Sequence, residues 1–202
     1  MSIFNLISLE QKQQIEYFIE LILKWNSKVN LVGFKNREDI LNYLISDSLF
    51  LADFFKKSLV FKSKKLTFID LGAGAGLPGI PFRIIHKAGD YYLVEIRKKR
   101  AIFLKNVIFK LQLSNTYVLE ELAQNLFEYH YSADIIIARA FKPYLQVLKI
   151  AYPLLKKRKG RVVILANKPK PKKLPSNWQL ETVYSYQIEE KSRYFWSFKP
   201  NI

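Results

Sequence analysis

Phe68-Ile69-Asp70-Leu71-Gly72-Ala73-Gly74-Ala75-Gly76-Leu77-Pro78-Gly79-Ile80-Pro81 carries an apolar run into a glycine-rich turn and out into a helical pattern. The order is buried strand, nucleotide-type loop, helix. Glycine lets the backbone take positive φ and approach a ligand closely, and the loop presents backbone N–H groups at a helix start. Asp70 closes the strand. A dinucleotide site holds a pyrophosphate at this place, and a carboxylate beside it repels that anion. S-adenosylmethionine carries no phosphate but an ammonium and a sulfonium, so the Asp-x-Gly-x-Gly-x-Gly turn suits it better than NAD. Gly74, Gly76 and Gly79 also spell Gly-x-Gly-x-x-Gly, which keeps a dinucleotide enzyme open. Four of the chain's 7 glycines fall between Gly72 and Gly79, which favours a dedicated loop over a chance turn.

Tyr91-Tyr92-Leu93-Val94-Glu95 reads as the second strand, and its terminal carboxylate lies 19 residues after Gly76. An acidic residue at this spacing and strand end hydrogen-bonds ribose hydroxyls in nucleotide-binding βαβ units. The competing reading is a surface carboxylate paired with Arg97 or Lys98.

The chain's 202 residues suit about one domain. Cysteine is absent, which removes disulfides and thiolate zinc sites and suits a reducing compartment. His86 and His130 form no ligand motif, so no metal is expected. No apolar run is long enough for a membrane span, and no signal-peptide pattern opens the chain; a cytoplasmic location is expected. The formal net charge is +16, and its distribution is uneven. Residues 141–202 hold 14 basic and 3 acidic side chains, and Lys156 to Lys173 holds nine basic residues and no acidic one. A one-sided field of this kind attracts polyanions. Nucleic acid is favoured over an anionic membrane face or a merely solubilising composition, because the charge is clustered.

Ser8-Leu9-Glu10-Gln11 reads as a capping box, and Ile15, Phe18, Ile19, Ile22 and Leu23 continue as an amphipathic helix. A second helix starts near Asn36 and runs through Ile40, Leu44, Leu49 and Leu51. Lys56 to Lys65 reads as a basic connection that ends an N-terminal helical segment, residues 1–65, packed on a main domain of residues 66–202. From there strands at Leu66–Leu71, Tyr91–Glu95, Tyr117–Leu119, Asp134–Ala138 and Arg161–Ala166 alternate with helices near Gly79–His86, Arg97–Leu113 and Pro143–Lys156. The alternation argues a parallel sheet with helices on both faces. Leu180–Ile188 and Arg193–Lys199 leave no room for a helix between them and should form an antiparallel edge hairpin. Pro169 to Pro175 reads as a loop.

Arg97-Lys98-Lys99-Arg100 opens a helix with cations, against the macrodipole. The cluster either faces an anionic ligand or is a solvated first turn. Arg139 follows the buried run Ile135 to Ala138 at a strand's carboxyl end, where open α/β sheets bind ligands; the alternative is an arginine paired with a local carboxylate.

These residues resemble a known family, the bacterial 16S ribosomal RNA guanine-N7 methyltransferases, also called glucose-inhibited division protein B. Its Asp-x-Gly-x-Gly-x-Gly-Leu-Pro-Gly-Ile-Pro signature matches Asp70 to Pro81, and its Lys-Arg-x-x-Phe-Leu matches Lys99, Arg100, Phe103 and Leu104. Its Arg-Ala-Phe matches Arg139, Ala140 and Phe141, its Trp-Asn-x-x-x-Asn-Leu matches Trp25, Asn26, Asn30 and Leu31, and its Asp-Ser-Leu matches Asp47, Ser48 and Leu49. The resemblance covers about residues 10 to 199. The chain departs from the pattern at Leu44, where a His is common, at Ala123-Gln124, where an acidic residue often contacts adenine, and at Asn167-Lys168-Pro169, where Leu-Lys-Gly is usual.

The resemblance implies an α/β, class I (Rossmann-like) methyltransferase fold, a mostly parallel seven-stranded sheet that ends in the hairpin. It implies S-adenosyl-L-methionine bound by Asp70, Gly72, Gly74, Gly76, Leu77, Glu95, Ala123, Gln124 and Arg139. Arg139 and Lys168 are the catalytic candidates, and Lys99, Arg100, Lys168, Lys170, Lys172 and Lys173 the RNA-binding ones. The implied partner is 16S ribosomal RNA or the small ribosomal subunit, the implied state a monomer, and the implied target nitrogen-7 of a guanosine in the 530 loop (guanine-527 class). That nitrogen is an acceptor with a free lone pair. Its attack on a sulfonium methyl releases no proton from it and needs no general base, which agrees with the lack of a catalytic His or Cys. In-line positioning and electrostatics matched to the moving charge remain, so a carboxylate or oxygen-lined wall is expected near the acceptor, with Arg139 away from the sulfonium. A small-molecule methyltransferase, a nucleic-acid-binding module with a non-catalytic loop and an NAD(P)-dependent oxidoreductase are the alternatives.

Overall fold

The computed structural model describes residues 7–58, 65–130, 132–156 and 159–201. Helix α1 (Leu9–Val29) begins at the capping box, where the Ser8 hydroxyl accepts from the Gln11 N–H and the Gln11 side chain accepts from the Ser8 N–H. It ends at Asn30, whose φ of 50° stops the helix in the left-handed region.

The second helix starts at Asn36, whose side chain accepts the Asp39 N–H at 2.8 Å. It is not a plain α-helix. One turn, α2 (Arg37–Asp39), passes into a π-helical stretch, Ile40–Ile45, and then into α3 (Ser46–Ser58). The Ser46 N–H and hydroxyl both reach the Leu41 carbonyl five residues back. Apolar periodicity does not signal such a widening, since the same buried face serves an α-helix. Of the expected basic connection, residues 59–64 lie outside the described residues.

Seven strands follow: β1 (Thr67–Leu71), β2 (Asp90–Val94), β3 (Thr116–Leu119), β4 (Ile135–Arg139), β5 (Arg161–Ala166), β6 (Trp178–Ile188) and β7 (Lys191–Pro200). Their spatial order is β3-β2-β1-β4-β5-β7-β6. The first five are parallel, and β7 lies antiparallel between β5 and β6. Helices α4 (Gly79–Ile85), α5 (Lys98–Lys110) and α6 (Tyr144–Ala151) make the crossovers. Helix α6 stops earlier than the expected Lys156, two residues before Pro153, which has no N–H to carry the helical ladder onward.

Alternation along the strands divides the core. Phe68, Tyr91, Leu93, Ile135 and Ile137 face α1, α3, α4 and α5. Ile69, Leu71, Ile136, Ala138, Val162 and Ile164 face α6 and Trp196. Buried residues of the N-terminal helices, among them Phe18, Ile22, Leu49 and Phe54, belong to the first cluster, so that segment shares the sheet's core. Strand winding reverses between β1 and β4, and the crevice at the carboxyl ends of these strands is where open α/β sheets bind ligands. No helix among the described residues is long and apolar enough to cross a membrane.

Candidate active site

Two cavities open at that crevice and share a wall. One, of about 290 Å³, is bordered by Gly72, Val94, Glu95, Ile96, Leu122 and Ala123. The other, of about 250 Å³, is bordered by Leu31, Phe34, Leu44, Gly74, Leu77 and Arg139. Gly72, Arg100 and Ala140 border both. Ala140 has a φ of 49°, a conformation that costs a non-glycine residue energy and that clusters at functional sites.

The first cavity is built by anchoring the glycine loop to β2. The N–H groups of Gly72 and Ala73 both donate to the Val94 carbonyl, at 3.0 and 2.9 Å. Glu95 then accepts the Gly74 N–H on one carboxylate oxygen at 3.0 Å and the Arg97 N–H on the other at 2.7 Å. It is neither a surface carboxylate nor paired with the Arg97 side chain. It is 5% exposed, borders the cavity, and each oxygen keeps a lone pair for a ligand hydroxyl. Glu95 meets the start of α5 through the Arg97 backbone N–H. Gly72, at φ 73°, packs so closely on Phe141 that a Cβ would stand 2.3 Å from Phe141 Cδ2. The floor beyond Glu95 is apolar, from Val94, Ile96, Leu122 and Ala123, with Gln124 and Glu121 at its edge. Glu121 accepts from the Leu122 N–H and the Asn125 amide. It is the acid of this edge that the Ala123-Gln124 match passes over. The set suits an adenosine: a carboxylate for the ribose diol and an apolar slot for the base.

Asp70 does not border either cavity. Its side chain is fully buried on the α4 face of β1, where a Cβ on Gly79 would lie 2.5 Å from its Oδ2. Neither carboxylate oxygen has a hydrogen-bond partner of good geometry, although the Gly79 N–H and the Tyr91 hydroxyl lie near. Burial pushes its pKa up to about 7, against the opposing pull of Arg139, Gly79 and Tyr91. Asp70 is placed to support the loop from beneath. Gly76 is likewise in the packing, its α-carbon pressed against Ile80 and Leu104.

The second cavity depends on the Trp-Asn-x-x-x-Asn-Leu motif. Trp25 packs edge-on against Phe103 of α5. Asn26 accepts the N–H groups of Leu31 and Val32 and donates to the carbonyls of Val32 and Phe34, so one side chain ties the whole Leu31–Phe34 wall. Arg100 donates to the Asn30 carbonyl at 3.1 Å and links that wall to α5. Opposite stands Arg139, its Nη2 3.2 Å from Asp47 Oδ2. Asp47 also accepts the Tyr186 hydroxyl at 2.8 Å. The arginine thus pairs with a carboxylate, but one 92 positions away in the N-terminal helices. Among the described residues no carboxylate side chain borders this cavity, and the oxygens its lining residues carry are those of the backbone, which leaves the oxygen-lined form of the expected wall.

Of the residues singled out by sequence, Gly72, Glu95, Ala123 and Gln124 border the first cavity, Gly74, Leu77 and Arg139 the second, and Arg100 both. Lys99 is exposed on α5 and borders neither. Lys168 is exposed, also outside both, with its carbonyl accepting the Trp196 indole N–H at 2.9 Å. Lys170, Lys172 and Lys173 are exposed in the loop after β5, which the Tyr144 hydroxyl holds to α6 through the Lys173 N–H and carbonyl. Lys157 and Arg158 of the basic run lie outside the described residues. Sequence reasoning gave no role to Asn26, Asp47, Glu121, Phe34 or Tyr186. Asn26 and Asp47 stood inside quoted motifs, but their partners are distant in the chain. Among the described residues no cluster of His, Cys, Asp and Glu suits a metal.

Residues 11–194 match the family model described as rRNA small subunit methyltransferase G. The ribosomal RNA small subunit methyltransferase G of Lawsonia intracellularis is 39% identical over 198 residues, covering 96% of this chain and 88% of that protein. Its namesake from Nitratidesulfovibrio vulgaris (strain DP4) is 37% identical over 190 residues, covering 94% and 86%. Among solved structures, a SAM-dependent methyltransferase from Aquifex aeolicus superposes with a TM-score of 0.59 at 15% identity, covering 80% of this chain and 93% of that one. At that identity the likeness speaks for the fold, a class I methyltransferase sheet.

Proposed function

The chain belongs to the rRNA small subunit methyltransferase G family, and from that premise we propose that it methylates nitrogen-7 of a guanosine in the 530 loop (guanine-527 class) of 16S ribosomal RNA. The coarser activity, S-adenosylmethionine-dependent methylation of ribosomal RNA, follows from the family. The observation that carries the finer reading is the pair of cavities that meet at Gly72 and Ala140, with Glu95 on one side and Arg139 on the other. Bound in the first cavity, S-adenosylmethionine supplies an electrophilic methyl group on a sulfonium.

Glu95 orients the ribose through its two free lone pairs, and Val94, Ile96, Leu122 and Ala123 enclose the adenine. Phe34, Leu31, Leu44 and Leu77 offer an apolar slot for a base taken out of its stack, a move that enzymes acting on bases make. Arg139 stands at the wall of that slot as a donor. It suits the O6 acceptor of guanine and leaves the adjacent N7 lone pair free for the methyl group. No residue is needed to remove a proton from N7, and none of the cavity residues is a His or a Cys. Catalysis rests on alignment and on fixed donors. The lysine loop at Lys168 to Lys173, which follows the carboxyl end of β5, and Lys99 and Arg100 on α5 supply phosphate contacts. The reading places a monomer in the cytoplasm, where its substrate is assembled.

The test is nucleoside analysis of 16S ribosomal RNA from a strain that lacks this gene. Loss of one 7-methylguanosine from the 530 loop, restored by the wild-type gene and not by an Arg139→Gln copy, supports the reading. An unchanged 7-methylguanosine content contradicts it.

A further inference from the structure

Asp47 belongs to none of the cavity walls, yet this one buried acid joins three elements of the fold. It is 2% exposed and sits in the first turn of α3, directly after the π-helical stretch. Its two oxygens face two different strands: Oδ2 meets Arg139 of β4 at 3.2 Å, and Oδ1 takes the Tyr186 hydroxyl of β6 at 2.8 Å. Tyr186 is held in turn by Phe50, one turn along α3 from Asp47, and by Phe195 of β7, with ring centroids 4.6 Å away in both cases. Burial and the neighbouring Asp47 carboxylate push the tyrosine's pKa upward, so its hydroxyl stays a donor. The parallel strands alone do not fix the Arg139 side chain, because β4 ends there and Ala140 turns away at positive φ.

We infer that Asp47 and Tyr186 are positioning residues: through one carboxylate they aim the Arg139 guanidinium across the acceptor cavity, so that the N-terminal helices and the terminal hairpin set the reach of a donor that the central sheet carries. The inference rests on the reading of the second cavity as the acceptor site. It explains why a pair so poorly accessible to solvent is kept as an ion pair. Asp47, itself held by Tyr186, fixes one edge of the guanidinium and leaves its remaining N–H groups for the cavity, and an oriented donor needs no reorganisation during transfer.

The test is a double-substitution cycle read by single-turnover methyl transfer to 16S ribosomal RNA, with the complete chain. Asp47→Asn should lower the transfer rate about tenfold or more, because the ion pair that holds Arg139 is lost. Arg139→Gln should lower it at least as much, and the double variant should be no slower than Arg139→Gln alone, because Asp47 acts only through Arg139. Tyr186→Phe, which removes one hydroxyl and keeps the ring packing, should slow transfer by a smaller factor that also vanishes in the Arg139→Gln background. S-adenosylhomocysteine affinity, measured by calorimetry, should change no more in Asp47→Asn and Tyr186→Phe than in Arg139→Gln, because both act only through that side chain. Multiplicative losses in the double variants overturn the inference, as does a wild-type rate in Asp47→Asn or a loss of cofactor affinity larger than that of Arg139→Gln. If Asp47→Asn fails to fold, the Tyr186→Phe pair decides on the same criteria. A wild-type protein without transfer to this RNA would overturn the acceptor reading first, and the inference with it.

Discussion

At the scale of single residues, the two acids flagged by sequence turn out to have different tasks. Glu95 is at a cavity wall with both oxygens already engaged by backbone N–H groups; it shapes the loop, and in the proposed function it presents acceptors to a diol as well. Glu95→Gln keeps one acceptor and turns the other oxygen into a donor that opposes a backbone N–H and a ribose hydroxyl. The loss of charge-assisted hydrogen bonds, roughly 1.5–3 kcal/mol, should weaken S-adenosylhomocysteine binding by about one to two orders of magnitude in calorimetry. Unchanged affinity would remove Glu95 from the cofactor site. Asp70, in contrast, is buried without a hydrogen bond, and burial lifts its pKa to about 7. In the unfolded chain an aspartate ionises near pH 4. Between these values the folded protein holds a proton that the unfolded chain has lost, so stability falls as pH rises through this window and levels off above it. Asp70→Asn abolishes the titration. Its melting temperature should gain on wild type from about pH 5 to about pH 7 and keep a constant offset above. A pH-independent offset across the window would show that Asp70 ionises normally.

At the scale of elements, the strand–loop–helix order and the edge hairpin were legible because they depend on local signals: alternation, glycine-rich turns and connection length. The strand ends fell within a residue or two, where capping and fraying always blur them. Less legible were the parts fixed by distant partners. The π-helical stretch at Ile40–Ile45 has the same apolar periodicity as an α-helix. Asn26 reads as an ordinary helix residue until the chain returns at Leu31 to Phe34. Arg139 was correctly placed at a strand's carboxyl end, but its partner Asp47 lies on another element, and no spacing rule connects the two. Asn26 offers the test at this scale. Asn26→Ala removes four hydrogen bonds to the wall of the second cavity, a loss of about 2–4 kcal/mol of stability at a net value near 1 kcal/mol each. Hydrogen exchange should quicken at the Leu31 and Val32 amides, which lose their acceptor, and leave β1 to β5 protected. Equal exchange in variant and wild type would mean that the wall holds without Asn26.

At the scale of the whole molecule, charge and cavity are arranged about one edge. The parallel strands end there, both cavities open there, and the exposed lysines of residues 168–173 follow the end of β5 at the same side. Phosphate contacts release counterions, so RNA affinity should fall steeply with salt. Alanines at Lys168, Lys170, Lys172 and Lys173 should weaken binding to 16S ribosomal RNA and flatten the log–log salt slope by about 0.7–0.9 for each phosphate that is no longer neutralised. The same slope in filter binding of variant and wild type would reduce the loop to a solvated face and shift docking to Lys99 and Arg100. A direct measurement of the chemistry decides most. Purified protein, labelled S-adenosylmethionine and small ribosomal subunits or their RNA from a strain without this gene are allowed to react, and the labelled nucleoside is identified by mass spectrometry and mapped. The account predicts one label per RNA, on nitrogen-7 of a guanosine in the 530 loop. A label on another atom or another nucleotide, or none with either substrate, would contradict it.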